Sequence, residues 1–421
     1  MNRTSFVMKT NNYEELLKDH SSWAESRKAA ALHQTRALVN MLKTETDMAD
    51  SAMALHKSVY LGEKRFEAER EHIFLDQPLL ACLSQDLPEP NTAIVFDAAG
   101  PSIIVSRDKN GEVNAFLNMC THRGAKIIEE NEPWAGNSKR LSCPFHAWMF
   151  NSGGKLVGQP GKEGFENCSI GKRDLVAVPC SEYLGMIFVR ANPEGDALDE
   201  AVVRDFLGDF GQVLANLELW RAEPVKKGIL HAESNWKYAL DTYGESYHFA
   251  TLHKTTIAKT NYNNKNIFEP FGRHHKVTFP KLALNEILEL EESQWPEYDY
   301  GAVHFMFPNT VIFYGSVMPG MYFTQIFRLF PDGVGNTRCQ FAIYAPFGIE
   351  SEEHKQNCEV AYDATAKVVV TEDYRVSKHG YANLMSAPAD FEVLIGANEP
   401  ALQAVHKHIA EVIGIPLSQI T

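Results

Sequence analysis

Apolar residues of the N-terminal half fall into short runs that are typical of β-strands. Three of these runs, Ala93–Phe96, Ser102–Ser106 and Val113–Leu117, lie close together between polar segments. Asn110-Gly111, between the last two, predicts a two-residue hairpin turn, because both residue types tolerate a positive φ. The pattern therefore predicts a small β domain.

A second group of strand-like runs lies in the C-terminal half and ends at a helical pattern. Turn residues separate the runs, which predicts an antiparallel sheet. Ser351 is a plausible helix N-cap, and we expect the helix that follows it to run to about Lys378 across that sheet. The predicted strands are Val303–Phe307, Thr310–Tyr314, Met321–Phe330 and Thr337–Tyr344.

Helical patterns precede the first β runs. Tyr13–Thr44 is polar, rich in Ala and Leu and free of Pro and Gly, and Phe66–Phe74 predicts one more helix. We predict an α+β fold with three parts. Residues 1–47 form a helical extension, 48–195 the small β domain, and 196–421 a domain in which an antiparallel sheet grips a long helix.

Composition narrows the possible functions. The 421 residues include 44% hydrophobic residues, enough for a substantial core, and the net charge of −14 argues against nucleic acid and anionic membrane surfaces as partners. An odd count of 7 cysteines in a long chain indicates a reduced, intracellular protein. No segment has the apolar length of a signal peptide or a membrane span, so a cytoplasmic location is expected.

Two Cys–His pairs carry the most specific chemistry of the chain. Cys120 and His122 form the first pair, Cys143 and His146 the second, and 20 residues separate them. Two thiolates and two imidazoles can hold a [2Fe–2S] cluster, with each iron bound by one kind of ligand. The alternative is a structural zinc, but zinc fingers usually place both cysteines in one loop and both histidines in another.

Neighbouring residues of these pairs resemble a known motif. Arg123-Gly124 follows the first pair and Ala147-Trp148 the second, which resembles the Rieske motif C-x-H-R-G … C-P-(Y/F)-H-x-W of ring-hydroxylating oxygenase large subunits. The spacing between the pairs is a few residues longer than is usual in that family. We place the excess in the polar stretch Asn131–Lys139, because a loop lengthens at small thermodynamic cost.

A second metal pattern lies about 100 residues further on. Glu245 and His248 are three residues apart and would share a helix face, whereas His253, five residues beyond His248, falls off that face. A helix there must therefore bend, break or change pitch. Two histidines and a distant carboxylate make the facial triad of non-haem Fe(II) oxygenases. Most histidines are instead hydrogen-bonded structural residues, and an isolated H-x₄-H pair is weak support for a metal.

This second pattern also resembles the family. Asn235-Trp-Lys leads into Glu245-x₂-His248-x₄-His253, similar to the motif N-W-K … (D/E)-x-x-H-x₄-H of the catalytic domain. Both motifs occur in the family order, so the chain is identified as resembling the large (α) subunit of a Rieske non-haem iron oxygenase. It departs in having Glu245 where Asp is usual, and Asp241-Thr242 where the family has Glu-Asn. The sequence leaves the role of Asp241 open.

The resemblance also suggests the third iron ligand. Glu372-Asp373 looks like the E-D pair of the late helix that supplies the aspartate in the family. Adjacent helical residues diverge by about 100°, so both cannot face one metal. We predict Asp373, with Glu372 as the alternative.

The resemblance implies a function. The chain would be a terminal oxygenase that uses electrons from NAD(P)H, delivered by a reductase directly or through a ferredoxin, to hydroxylate, demethylate or dihydroxylate a small organic substrate. Its cofactors would be a Rieske [2Fe–2S] cluster on Cys120, His122, Cys143 and His146, and a mononuclear iron on His248, His253 and Asp373. A homotrimer is implied, with or without a β subunit, in which Glu245 couples the two centres of neighbouring subunits.

Two other function classes remain open at this stage. A Rieske electron carrier needs only about a hundred residues, which leaves most of this chain and its second metal pattern unexplained. A binding module stabilised by zinc would be colourless and would contain no sulphide. The sequence predicts neither the substrate nor whether one or both oxygen atoms are inserted.

Overall fold

The structure is a computed structural model. It describes residues 20–97, 100–129, 141–166, 173–295, 301–318 and 321–418. The first residues of the helix predicted from Tyr13, and the segment Asn131–Lys139, lie outside the described residues.

Nine α-helices are present in the described part of the chain. Two π-helical turns, Arg70–Leu75 and Val369–Asp373, follow α3 and α7. The helices are α1 His20–Leu42, α2 Ser58–Leu61, α3 Glu63–Glu69, α4 Glu200–Leu207, α5 Phe210–Ala215, α6 Trp236–Leu240, α7 Glu352–Val368, α8 Tyr374–Ser386 and α9 Pro400–Ile413.

The described strands form five sheets. Their bounds are β1 Met53–His56, β2 Leu79–Leu83, β3 Thr92–Asp97, β4 Ser102–Arg107, β5 Val113–Leu117, β6 Leu141–Ser142, β7 Met149–Phe150, β8 Leu156–Gly158, β9 Cys180–Tyr183, β10 Met186–Val189, β11 Glu223–Ala232, β12 Ile267–Phe271, β13 His274–Thr278, β14 Ala302–Met306, β15 Thr310–Met318, β16 Met321–Pro331, β17 Thr337–Ala345 and β18 Glu392–Ile395.

The largest sheet has seven antiparallel strands in the order β11-β17-β16-β15-β14-β13-β12. Its inner face and the helix pair α7–α8 share one core, in which Phe341 stacks on Tyr362 of α7 with ring centroids 4.4 Å apart. Ser351 caps α7 as predicted, because its side chain accepts a hydrogen bond from His354 N–H at 3.1 Å. The α+β fold with a sheet gripping a long helix is confirmed.

The N-terminal β part consists of three three-stranded sheets, β2-β10-β9, β3-β4-β5 and β6-β7-β8. The predicted hairpin between β4 and β5 exists, but a two-residue turn is wrong. Arg107 pairs with Val113, so the loop has five residues, and Asp108 Oδ1 closes it by accepting the N–H groups of Asn110 (2.7 Å) and Glu112 (3.0 Å). Backbone bonds from Gly111 N–H to Asp108 O (3.1 Å) and from Asp108 N–H to Glu112 O (2.8 Å) complete the loop, in which only Gly111 has a positive φ (89°).

Residues 53–69 contact the C-terminal part of the chain. Strand β1 pairs with β18. The carboxylate of Glu69, on α3, accepts hydrogen bonds from Lys237 Nζ at 2.6 Å and Trp236 Nε1 at 2.8 Å. Helix α1 packs its buried Leu38 against Leu284 and its neighbours. The domain boundaries given above stay a prediction.

Hydrophobic stretches of membrane-crossing length do not occur in the described helices: none of them is sufficiently long and apolar to cross a bilayer.

Candidate functional site

Both Cys–His loops have the same backbone hydrogen bonds. In the first, Cys120 N–H donates to Ala125 O and Cys120 O accepts from Gly124 N–H, both at 2.8 Å. In the second, Cys143 makes the same two bonds with the residues five and four positions on, at 2.8 and 3.0 Å. The residue four positions after each cysteine has a positive φ, 79° for Gly124 and 55° for Ala147. The second loop is a hairpin between β6 and β7, whereas the first loop follows β5.

The two loops bring four potential ligands together. Both cysteines are buried, and the rings of His122 and His146 lie 4.8 Å apart between centroids. Trp148 stacks on His122 at 4.8 Å and 8°, which fixes the plane of that imidazole. The Nδ1 atoms of both histidines are buried and have no hydrogen-bond partner among the described residues. Buried nitrogen atoms without a hydrogen-bond partner are suited to bind a metal ion.

The donor set of the two loops fits a [2Fe–2S] cluster. Each loop brings one cysteine and one histidine, so the two imidazoles, with their buried and unpartnered Nδ1 atoms, could bind one iron while the two thiolates bind the other.

The local charges agree with this assignment. Burial, the contact with Cys143 and its charge raise the pKa of the Cys120 thiol, so a thiolate there needs the positive charge of bound iron. Desolvation, then His146 and Arg123, lower the pKa of His122 and favour the neutral ring that a metal requires.

His248, His253 and Asp373 form the second group. Their ligand atoms converge: the two Nε2 atoms are 3.1 Å apart, and Asp373 Oδ1 lies 3.2 Å from His253 Nε2 and 3.6 Å from His248 Nε2. Asp373 Oδ1 is nevertheless buried without a properly oriented hydrogen-bond donor in the described residues. Two imidazoles and one carboxylate aimed at a common point fit a non-haem iron.

Each histidine of this group is held at its other nitrogen by a carboxylate. His248 Nδ1 contacts Glu245 Oε1, and His253 Nδ1 lies 2.7 Å from Glu372 Oε2. Thr256 Oγ1 also donates to Glu372 Oε2 at 2.9 Å. These carboxylates select the Nδ1–H tautomers, which leaves the Nε2 lone pairs free for a metal.

An interruption of the helix after α6 positions His248 and His253. Helix α6 begins at the N-cap Asn235 and gives way to a single 3₁₀ turn, Asp241–Tyr243, before the chain continues in turns. His253 N–H donates to Phe249 O at 3.1 Å, within these turns. The predicted break in the helix is therefore present, and it brings residues five apart to one face.

A π-helical turn places the acids. Tyr374 N–H donates to Val369 O, five residues back, so one extra residue is accommodated between α7 and α8. Asp373, the last residue of this turn, is buried with 5% of its surface exposed and points to the histidine Nε2 atoms. Glu372 reaches the opposite side of the His253 ring. The two predicted alternatives thus occupy different positions around one histidine.

Burial and neighbouring carboxylates have opposite effects on the pKa of His253. Burial lowers its pKa, but the nearby carboxylates of Asp373 and then Glu372 outweigh burial and raise the pKa overall. A bound divalent cation would replace the proton between His253 and Asp373.

A mostly apolar cavity adjoins these residues. Tyr243 and Gly244 line it just before Glu245, and Phe305 of β14 and Leu402 of α9 close it from other sides. Its volume is about 20 Å³, room for one water molecule. Tyr243 OH is 2.8 Å from the hydroxyl of Tyr374, which follows Asp373. The cavity is thus next to the histidine pair and the late acidic pair.

Several features of the site were missed from sequence. The Glu372–Thr256 pair and the contacts of Asp241 with Tyr60 and His406 join residues more than 100 positions apart, for which a single sequence contains no signal. The left-handed conformation of Ala147 could have been predicted from Gly124, which occupies the equivalent position in the first loop.

Comparison with known protein families gives two matches. The family model of the Rieske [2Fe-2S] domain matches residues 77–175, and that of the ring hydroxylating alpha subunit catalytic domain matches residues 219–415.

Curated relatives match over about half of the chain. The large subunit of anthranilate 1,2-dioxygenase from Acinetobacter baylyi is 30% identical over 220 residues, which cover 50% of this chain and 44% of that protein. The oxygenase subunit of carnitine monooxygenase from Escherichia coli (strain K12) is 28% identical over 196 residues, covering 46% and 50% respectively. The matched region thus spans about half the length of these relatives.

Solved structures share the fold over most of the chain. The quaternary ammonium Rieske monooxygenase CntA, bound to L-carnitine, has a TM-score of 0.70 at 21% identity, and the match covers 86% of this chain and 96% of that one. Naphthalene 1,2-dioxygenase from Rhodococcus sp., bound to indole, has a TM-score of 0.67 at 16% identity, covering 91% and 98%.

Proposed function

Because the chain belongs to the Rieske non-haem iron oxygenase large (α) subunits, we propose that it is the terminal oxygenase of a multicomponent system. It would take electrons that originate in NAD(P)H from a reductase, directly or through a ferredoxin, and insert oxygen from O₂ into a small organic substrate. The observation that supports this most strongly is the convergence of His248 Nε2, His253 Nε2 and Asp373 Oδ1 in a chain that also has the Cys–His loops.

The proposed cofactor ligands follow from that geometry. Cys120, His122, Cys143 and His146 would hold the [2Fe–2S] cluster, and His248, His253 and Asp373 the mononuclear iron. When bound, the cluster supplies single electrons and the ferrous ion provides open coordination positions at which O₂ is activated.

The chain's own residues prepare both centres. Glu245 and Glu372 keep hydrogen on the Nδ1 atoms of His248 and His253, which makes each Nε2 a better ligand. Trp148 holds the plane of His122. The apolar wall of the cavity, with Phe305 and Leu402, limits water beside the iron site.

Glu245 has a second proposed task in a homotrimer, with or without a β subunit. It already accepts His248 Nδ1–H and the backbone N–H of Tyr247, and its side chain keeps 10% of its surface exposed. Tyr247 beside it is 60% exposed. An exposed edge next to the iron site suits contact with a cluster histidine of a neighbouring subunit, so Glu245 would couple the two centres.

Oxygen uptake tests the proposed activity. Enzyme reduced by dithionite, or by a reductase with NADH, is mixed with air-saturated buffer and a panel of aromatic, quaternary-amine and steroid compounds. We expect substrate-dependent oxygen uptake and a hydroxylated, demethylated or diol product with at least one class. Uptake that never depends on the organic compound, in protein with full cluster and iron content, would contradict the proposal.

A further inference from the structure

Aromatic side chains form a continuous series of contacts that leads from the proposed iron site towards the protein surface. The series begins at Tyr374, which directly follows the proposed iron ligand Asp373. The hydroxyl of Tyr374 lies 2.8 Å from that of Tyr243. The ring of Tyr243 then contacts Phe327 of β16, with ring centroids 5.1 Å apart.

Two parallel stacks continue the series across the sheet to α7. Phe327 stacks on Phe341 of β17, with centroids 4.3 Å apart and an angle of 5° between the ring planes. Phe341 stacks in turn on Tyr362 of α7, at 4.4 Å and 11°. Successive rings are therefore in van der Waals contact. The series has tyrosines at both ends and two phenylalanines between them.

The two ends differ in their access to solvent. Tyr374 is 2% exposed, and the thiol of Cys339, which is completely buried, contacts its hydroxyl. Tyr362 lies just below the surface: it is 6% exposed, and Lys226 Nζ is 5.1 Å from the centre of its ring. Lys226 pairs with Asp363, whose side chain is 65% exposed. The series thus joins the iron site to the outer side of α7.

The residue types along the series suit electron transfer. Packing alone would be served by phenylalanine at both ends, because a buried phenol needs a hydrogen-bond partner that a phenyl ring does not. A tyrosine side chain gives up an electron much more easily than phenylalanine does. The rings of Phe327 and Phe341 nevertheless shorten the gaps that an electron crosses between Tyr362 and Tyr243.

We propose, on the basis of the proposed function, that these five rings carry oxidising equivalents from the iron site to Tyr362 when an oxidant reacts there without substrate. The electron that Tyr362 supplies would otherwise be taken from side chains at the site itself, such as the ligands His248 and His253. A thiol or ascorbate in solution then reduces Tyr362. The series is in this way a protective outlet for the oxygenase.

Hydrogen peroxide provides the simplest balanced case. One molecule takes two electrons, one from ferrous iron, which becomes ferric, and one from an inner tyrosine. The hydroxyl proton of that tyrosine leaves as well, so the products are a tyrosyl radical, one water and one hydroxide. Tyr362 then returns an electron through the two phenylalanines and releases its own hydroxyl proton to solvent. The inner tyrosine regains a proton by way of the water-sized cavity that Tyr243 lines.

Radical trapping tests the route. Enzyme with ferrous iron and an oxidised cluster, without substrate, receives one equivalent of hydrogen peroxide and the spin trap 2-methyl-2-nitrosopropane, and peptide mass spectrometry locates the adduct. We expect it on Tyr362 in the wild type and not in His248→Ala, which lacks the iron. An adduct on Tyr247, which is 60% exposed beside His248, with none on Tyr362 would overturn the proposal. So would an equal Tyr362 adduct in His248→Ala.

Two matched core variants test the stack itself. Phe341→Leu interrupts it and should remove the adduct from Tyr362, while electron paramagnetic resonance of samples frozen without the trap still shows a tyrosyl radical. Phe323→Leu makes the same change at a buried phenylalanine of β16 that belongs to the same core and lies outside the series, and should keep the adduct. An undiminished adduct in Phe341→Leu would overturn the route.

Tyr362→Phe provides a test that preserves both the ring and its packing. Its tyrosyl signal should decay more slowly than that of the wild type when ascorbate is added, because the radical is confined to the buried inner pair. Protein made with ring-deuterated tyrosine identifies the signal by its narrower line. A decay as fast as in the wild type would contradict the role of Tyr362.

Failure here is distinguishable from failure of the proposed function, because these experiments detect radicals and not turnover. Substrate-dependent oxygen uptake in a protein that forms no Tyr362 adduct would remove this inference and leave the oxygenase assignment in place. An iron-dependent Tyr362 adduct in a protein without such uptake would support the electron route and count against the proposed function.

Discussion

Glu372 and Asp373 are neighbours in sequence and contact opposite nitrogens of the same histidine. Glu372 Oε2 lies 2.7 Å from His253 Nδ1, and Asp373 Oδ1 lies 3.2 Å from His253 Nε2. The π-helical turn that ends at Asp373 makes this possible, because the pair wraps around the ring instead of competing for one side of it. Asp373 is therefore available to bind the metal, and Glu372 holds His253, which is itself a proposed metal ligand.

Loss of the Glu372 carboxylate should weaken iron binding without abolishing it. Glu372→Ala should lower iron affinity by about 10- to 100-fold, because His253 loses the partner that fixes its tautomer. Glu372→Gln, whose amide oxygen still accepts from Nδ1–H, should recover part of the loss. The measurement is the rate at which a chelator extracts the mononuclear iron, with the visible absorbance of the cluster as the internal reference.

Asp363→Asn provides the control for this series, since it changes an exposed acid on the preceding helix α7. Iron release from Glu372→Ala at the wild-type rate would contradict the positioning role.

Glu245→Gln should separate metal binding from turnover. The amide oxygen can take the place of Oε1 and accept from His248 Nδ1–H, so both metals should be retained, whereas the backbone bond from Tyr247 to Oε2 is lost. The negative charge proposed to couple the two centres is lost, and oxygen uptake should fall by at least about 100-fold. Iron and sulphide analysis together with turnover checks this. Loss of iron in Glu245→Gln would show that the residue is a ligand or scaffold instead.

The repeated loop geometry predicts opposite effects of two small substitutions. Gly124→Ala should destabilise the cluster domain by about 1 kcal/mol, because φ at this position is 79° and an L-residue is strained there. Ala147→Gly should be neutral or stabilising, because φ is 55° and the strain is relieved. Gly164→Ala is the control, since an added Cβ there meets nothing within 4 Å and its φ is not positive. Thermal loss of the cluster absorbance gives the ranking. Equal melting temperatures for Gly124→Ala and Gly164→Ala would contradict it.

A buried histidine of the sheet should make the fold sensitive to acid. His274 Nδ1 accepts from Phe307 N–H at 3.0 Å and its Nε2 lies 2.7 Å from Phe206 O, so the neutral ring uses both nitrogens. Burial lowers the pKa of His274 to about 4. The folded state thus binds fewer protons than the unfolded state, and stability present above about pH 6.5 is lost as pH falls towards 4.

Between pH 7 and pH 5 this single group should lower the free energy of unfolding by about 2 kcal/mol. His274→Gln should show a correspondingly smaller pH dependence in urea titrations, whatever its stability at pH 7. His231→Gln, at an exposed position, should match the wild type in slope. An unchanged slope in His274→Gln would refute the prediction.

Local signals in the sequence were enough to predict the main elements of the fold. Alternating and continuous apolar runs predicted β14 to β17 to within a few residues, and Ser351 marked the start of α7. These features depend on neighbours in sequence, which a single chain displays. The length of the β4–β5 turn was predicted wrongly because Asp108, with its side chain and its backbone carbonyl, accepts hydrogen bonds from Asn110, Gly111 and Glu112 and so organises a five-residue loop.

The limits of prediction at the site have a physical origin. Spacing indicated the two Cys–His pairs and the two iron-site histidines because each set is local. It could not separate Glu372 from Asp373, since that depends on one extra residue in a helical turn. Nor could it show that Asp241 contacts Tyr60 and His406, because long-range packing brings those residues together.

Iron and acid-labile sulphide per chain, measured with the electron paramagnetic resonance spectrum of dithionite-reduced protein, show whether the protein binds both metal centres. We expect about three irons and two sulphides, with a signal whose average g value lies below 2. His248→Ala should keep the sulphide and the signal and lose one iron. Protein without acid-labile sulphide, or a His248→Ala variant with undiminished iron, would contradict this expectation.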